Sequence, residues 1–399
     1  MDSTEFLPNY SSSVVRMSSF EYTFGIEEEY FAAQADDAGL AAQIPEQIRK
    51  RAREELGESV TSELLQSQIE VASPIFHDVG QARETMFMLR TRLNAMLEEE
   101  QLRLVAASTH PLGAWREQLV TEQRRYDKVL SDFRIIGERN LVCGMHVHVA
   151  VPTGVDRVQL MNRAMAWLPL FLALSTSSPF WDGRLTGLMS YRQAIYDEWP
   201  RSGIPDFFQD QRDYDAFVEL LQKADAIKDA SFLWWAIRPA LRYPTLELRI
   251  ADVCTRLEDG IALASLFRCL VATLVEQPQL NVHHSSHTRR LIDENRWRCK
   301  RDGIDSTIVD ESRQMAIPAR QAIDELLTLV GEQAERLGCS SELAHIPNIL
   351  QDGTSAHAQL RIYNESRANG ASSDGALREV VRWLIDATIA KPDGATSIS

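Results

Sequence analysis

The chain has 399 residues, a net charge of −15, 44% apolar residues and 25% charged residues. This composition fits a soluble globular protein with enough apolar material for a sizeable core, and no long Lys/Arg run offers a nucleic-acid surface. The five cysteines, Cys143, Cys254, Cys269, Cys299 and Cys339, are odd in number and form no C-x-x-C pair, which argues against a disulfide framework and favours a reducing cytoplasm.

In chain order, Met1–Ser19 reads as a loose, Ser-rich arm without the layout of a signal peptide. Residues 20–390 read as one α+β domain, and 391–399 as a frayed tail. Helical periodicity marks Pro45–Leu56, Asp78–Gln101 with Asp78 as N-cap, Gln123–Gly137, Asp156–Leu174, Tyr214–Ala226, Leu257–Glu276, Arg313–Leu337 and Gly375–Ile389. The most apolar run, Ala164–Leu174, is about half a membrane span in length and contains Pro169, so it reads as a buried helix. Strand patterns fall at Glu21–Ala32, Gln66–Ser73, Leu102–Ser108, Val142–Val151, Phe232–Arg238 and Thr245–Asp252. They alternate in polarity, where strands of a parallel sheet buried on both faces run continuously apolar. The expectation is an antiparallel sheet with helices on one face.

Side chains alternate between the faces of a strand. Phe24, Ile26 and Tyr30 therefore share one face, while Glu27 and Glu29 take the other. Glu70 opposes Ile69 and Val71; His146 and His148 oppose Met145, Val147 and Val149; Glu247 and Arg249 oppose Leu246, Leu248 and Ile250. If the four strands are neighbours, their carboxylates converge. Such a face repels itself and loses solvation unless hard divalent cations neutralise it. Magnesium prefers oxygen ligands and shares its shell with phosphates, and an arginine among them can stabilise a phosphoryl group in transfer. A polar face in plain water is the bland alternative. Glu28 falls on the apolar face and requires a buried partner or a bulge.

These strands resemble the glutamate–cysteine ligase family, in its carboxylate–amine ligase (YbdK-like) branch. The matching segments are Phe24–Tyr30, Glu63–Glu70, Cys143–Val149, Ser178–Trp181, Leu233–Trp235, Thr245–Val253 and Glu294–Arg298, in family order. The resemblance implies a glutamine-synthetase-like fold, a curved antiparallel sheet forming a funnel with helices on its outer face. It implies a ligase using ATP with two or three Mg2+ ions, Mn2+ being a substitute. ATP phosphorylates a carboxylate and an amine displaces the phosphate; glutamate and cysteine are the family's default pair, used weakly or replaced in this branch. It implies that Glu27, Glu29, Glu63, Glu70, His146 and Glu247 are metal ligands, with Glu247 and Arg249 in the chemistry and Arg249 on phosphate. A homodimer or larger homo-oligomer is also implied, with no nucleic-acid or membrane partner.

Several residues keep two readings. His148 contacts substrate or is structural. Arg192 is a fork for a substrate carboxylate or a surface salt bridge. Trp297 and Arg298 lie near the nucleotide, or are a buried Trp and a helix-end Arg. Trp234 and Trp235 read as packing, and His283, His284 and His287 as a polar loop rather than a metal cluster. No G-x-x-x-x-G-K-[S/T] loop occurs. Two other classes stay open: a zinc hydrolase built on His146 and His148, and a catalytically silent relative that binds a small molecule.

Overall fold

The computed structural model describes residues 20–121 and 130–391. The expected arm at 1–19, nearly all of the expected tail and the first part of the expected helix Gln123–Gly137 lie outside the described residues. Seven strands form one antiparallel sheet: β1 (Phe24–Gln34), β2 (Val60–Ser62), β3 (Gln68–Ala72), β4 (Leu102–Val105), β5 (Met145–Ala150), β6 (Ile237–Pro239) and β7 (Thr245–Leu248). Their order is β6-β7-β5-β1-β3-β2, and β4 pairs with the far end of β1. The first strand is the hub: Phe24–Glu28 pair with β5, Glu27–Phe31 with β3 and Phe31–Gln34 with β4.

One face of the sheet is apolar and covered by helices. Phe24, Ile26, Tyr30, Ile69, Val71, Met145, Val147, Leu246 and Leu248 are buried there, in one cluster with side chains of helices α1 (Val79–Glu98), α2 (Leu257–Glu276) and α3 (Ser373–Thr388). Asp78 caps α1, accepting from the Gln81 amide at 2.8 Å. Glu28 finds its partner in this layer: Arg90 of α1 donates through Nη2 and Nε at 2.6 and 3.0 Å, and Tyr30 donates its hydroxyl. Truncating one partner of such a buried pair costs about 3–5 kcal/mol. The pairing also locks the register of β1. A slip of one residue would swing Glu27 and Glu29 into the core.

Elsewhere the sequence pattern needs correction. Asp156–Leu174 is two helices, Arg157–Ala164 and Leu168–Ser175, divided at Met165–Trp167 just before Pro169, whose ring has no N–H to continue the ladder. Arg313–Leu337 begins with the second strand of a hairpin, Thr307–Asp310 with Met315–Pro318, and the helix starts only at Ala319 after Pro318. Phe232–Arg238 is divided too: Trp234–Trp235 pairs in parallel with Ser202–Gly203, and only Ile237–Pro239 joins the large sheet. No described helix is long and apolar enough to cross a membrane.

Candidate active site

The polar face of the sheet is concave. A cavity of about 250 Å3 lies against it, lined by residues of strands from β3 to β6, from Glu70 to Arg238. The register accounts for the convergence. Glu29 sits opposite Glu70, Glu27 opposite His146, and Glu247 opposite both His148 and Arg238. Two groups of ligating side chains result, each with its ligand atoms within 4.8 Å of one another: Glu29, Glu63 and Glu70, and Glu27, His146 and Glu247. Glu63, which lies before β3, thus joins the acidic residues of the strands.

In the first group the carboxyls have little to offset their charge. The Gly144 amide donates to Glu29 at 2.7 Å. Burial, then the neighbouring Glu70, push Glu29 up from 4.5 to about 7. Burial together with Glu29 and Glu70 push Glu63 well above the carboxylate range. In the second group burial is outweighed. Arg238 grips Glu247 with two bonds at 2.8 and 3.0 Å, and Arg249 donates to the same carboxylate. Despite burial, Arg249, Arg238 and His148 hold Glu247 at about 2. Burial also works against ionisation of Glu27, but His146 at 3.1 Å and His148 at 3.3 Å keep it well below the usual range. Burial and Arg249 lower His146 to about 4, so its ring is neutral near pH 7. With Glu27 accepting from Nδ1, Nε2 presents a lone pair, and that buried atom has no partner among the described residues.

These donors fit divalent cations. Three converging carboxyls offer the all-oxygen set that magnesium prefers, and the negative charge they cannot disperse is what a cation would neutralise. The second group adds an unpartnered imidazole nitrogen to two carboxylates. The paired histidines do not form a ligand group of their own: His148 turns to Glu27 and to Thr245, at 3.0 Å. That geometry does not support a zinc site built on both.

Arg192 is not on a surface salt bridge. It is buried and lines the cavity, donating to the carbonyls of Ala251 at 3.1 Å and Arg249 at 3.3 Å, with Nε unpartnered. A Cβ at Gly144 would stand 2.3 Å from its Nη2, so the glycine of Cys143-Gly144-Met145 makes room for the guanidinium. Asp252 holds the surrounding loops, accepting from Ser178 and Ser190 hydroxyls at 2.8 Å each, and Ser178 in turn accepts from the Arg192 amide. Arg298 does not line the cavity; it bonds Glu294 at 2.8 Å and Thr307 at 2.9 Å. Trp297 is 42% exposed rather than buried. Trp235 packs among Phe208, Tyr214 and Phe217, whereas Trp234 lines the cavity. His284 stacks on Phe207 at 3.9 Å, and no metal group forms there among the described residues.

Sequence reasoning missed Arg238, Tyr196 and Trp199, all on the cavity wall. Arg238 was legible in principle, since alternation places it opposite Ile237. Tyr196 ends, and Trp199 follows, a five-residue helix, Arg192–Tyr196, with no periodic signal. A second recess of about 300 Å3 adjoins the face at Glu27 and His148 and is mostly apolar, with Gly25, Ala72 and Ala150 on its walls and Ile75 and Tyr243 strongly exposed at 67% and 59%.

Residues 23–382 match the model of the glutamate–cysteine ligase family 2 (GCS2). A protein of Ectopseudomonas mendocina (strain ymp) named "Putative glutamate--cysteine ligase 2" is 44% identical over 377 residues, 93% of this chain and 98% of that one. The glutamate–cysteine ligase of Francisella tularensis, solved in complex with AMP, superposes with a TM-score of 0.68 at 14% identity, covering 93% of this chain and 89% of the other. A bifunctional glutathione synthetase from Pasteurella multocida gives 0.66 at 13% identity, over 92% of this chain and 52% of the other. Those likenesses establish the fold expected from the sequence, and the family match with the close relative establishes descent. The chain belongs to glutamate–cysteine ligase family 2.

Proposed function

We propose that the protein is an ATP-dependent ligase that joins a carboxylate to an amine. The observation that carries this reading is the pair of ligand groups on one concave face, with Arg249 and Arg192 beside them offering unpartnered buried Nε donors. Glu29, Glu63 and Glu70 would hold one Mg2+, and Glu27, His146 and Glu247 a second. Bound there, the cations would disperse the charge of a phosphoryl group in transfer.

The protein's own residues account for the rest. Apolar walls beside Glu27 suit the base of ATP, with its phosphates reaching the acidic face. The substrate carboxylate takes the γ-phosphoryl group, giving an acyl phosphate and ADP. The amine nitrogen then attacks the acyl carbon, the C–O bond to phosphate breaks, and an amide, phosphate and a proton are released. A free carboxylate would have to expel an oxide ion, so phosphorylation is what makes the step feasible. Arg249 donates to the phosphoryl oxygens through a planar fork. Arg192 pairs with the substrate carboxylate through Nε. His148 keeps Glu27 ionised and oriented.

Residues 20–390 act as one catalytic unit in this reading, in the cytoplasm and as a homo-oligomer. The free, buried state of all five cysteines is consistent with that compartment. The test is ADP release in Mg2+ across a grid of carboxylates and amines, starting with glutamate and cysteine, the pair in the family's name. Release that requires both a carboxylate and an amine supports the reading. ATP turnover indifferent to both, or none with any pair, refutes it.

A further inference from the structure

Besides its charged rows, the cavity has an aromatic wall formed by Tyr196, Trp199 and Trp234. Trp199 and Trp234 meet edge to face at 5.1 Å. Phe133 backs both, at 5.0 and 5.5 Å, and the Arg201 guanidinium lies 5.5 Å from the Trp234 ring. The backbone fixes the arrangement, because Trp234 is paired with Ser202 in the short parallel ladder.

Two features separate it from core packing. Trp234 is only half-buried and faces the cavity. Trp199 is 8% exposed, yet its indole N–H has no acceptor among the described residues, and buried indole N–H groups are normally bonded. Tyr196 joins the wall to the phosphoryl side of the site, since its hydroxyl accepts from Arg249 Nη2 at 3.2 Å. A molecule held on the wall thus lies beside the point where the acyl phosphate forms.

We propose that this wall binds the attacking amine and selects amines that carry an aryl substituent, the ring lying against Trp234 and the amine directed past Tyr196 towards Arg249. This rests on the ligase reading and adds the acceptor class. A small side chain such as that of cysteine would leave most of the wall uncovered. An aryl group covers it and gains from ring–ring contact.

Binding of matched amines decides the matter without a donor carboxylate. Phenethylamine, ethylamine and cysteine are titrated calorimetrically into the full-length protein saturated with Mg2+ and a non-hydrolysable ATP analogue. Phenethylamine is expected to bind at least about tenfold tighter than the other two, a margin that ring burial readily supplies. Trp234→Ala should abolish that margin while nucleotide affinity, measured in the same variant, stays unchanged. Trp199→Phe keeps the ring and removes the N–H, and should weaken tyramine, whose hydroxyl can serve as acceptor, more than phenethylamine. Equal affinity for phenethylamine and ethylamine, tighter binding of cysteine, or an aryl preference that survives in Trp234→Ala would overturn the proposal. Failure of the ligase reading would show differently, as absent ADP release with every carboxylate–amine pair.

Discussion

The two ligand groups lie side by side on one sheet yet are built on opposite principles. Glu29, Glu63 and Glu70 are three carboxyls without an arginine partner, and burial with mutual repulsion raises Glu29 to about 7 and Glu63 well above its ordinary value. Glu27, His146 and Glu247 are interleaved with Arg238 and Arg249, and both carboxylates stay ionised. Cross-strand register makes the difference: Glu29 faces another glutamate, whereas Glu247 faces an arginine and a histidine. In the proposed reading the first group would take its balancing charge from a cation, whereas the second already has cationic side chains and would hold a metal only together with an anion such as a phosphate chain.

The largest effect expected is that of Glu247→Gln, which is nearly isosteric and still offers both arginines an oxygen. Metal-dependent ATP turnover should fall by roughly 10²–10³-fold or more with the fold intact, as read by ADP release and circular dichroism. Retention of full activity would remove Glu247 from the site. Next comes metal stoichiometry. Mn2+ titration should show one ion in the nucleotide-free protein and two with an ATP analogue, and Glu70→Gln should eliminate the first. Two ions in the absence of nucleotide would break the contrast between the groups.

The pH dependence sharpens it further. The folded protein holds the Glu29 proton up to about 7, against 4.5 for an ordinary glutamate. Between those values the folded state binds more protons than the unfolded state, so this group makes the metal-free protein less stable as pH rises. Glu247, at about 2, has the opposite sign: its contribution is present above the ordinary value of 4.5 and is lost as pH falls below it, so it adds little slope in the upper part of that window. Added Mg2+ must displace the Glu29 proton below pH 7 but not above it. It should therefore raise Tm by a few degrees at pH 8 and by much less at pH 5.5, in a thermal melt. An equal shift at both values would contradict the raised carboxyls.

Arg249→Lys should lower the rate about tenfold or more, because an ammonium lacks the planar fork. The smallest effect is assigned to Arg298→Ala. That side chain bonds Glu294 and Thr307 and does not line the cavity, so activity should stay within about twofold and stability within about 0.5 kcal/mol. A large loss of activity would place Arg298 in the site after all.

Much of the acidic face was legible in the sequence because strand alternation is strict. Glu27, Glu29, Glu70, His146 and Glu247 follow from period two alone, while Glu63 came only through the resemblance. What stayed hidden lacks a period. The helix Thr288–Asp302 buries Asn295, Arg296 and Lys300 beside only Ile292 and Cys299, too few apolar positions to mark it as packed. The cavity wall at Tyr196, Trp199 and Trp234 comes from a short helix, a loop and a two-residue strand, and spatial convergence of that kind leaves no local pattern. Arg90, the partner of Glu28, lies 62 positions away and was equally unreadable.

The contrast between the two groups is tested most directly by anomalous diffraction from crystals soaked in Mn2+, with and without a non-hydrolysable ATP analogue. One Mn2+ is expected among Glu29, Glu63 and Glu70 in both crystals, and a second among Glu27, His146 and Glu247 only with nucleotide. A single ion held between His146 and His148, with the Glu29 group empty, would contradict it.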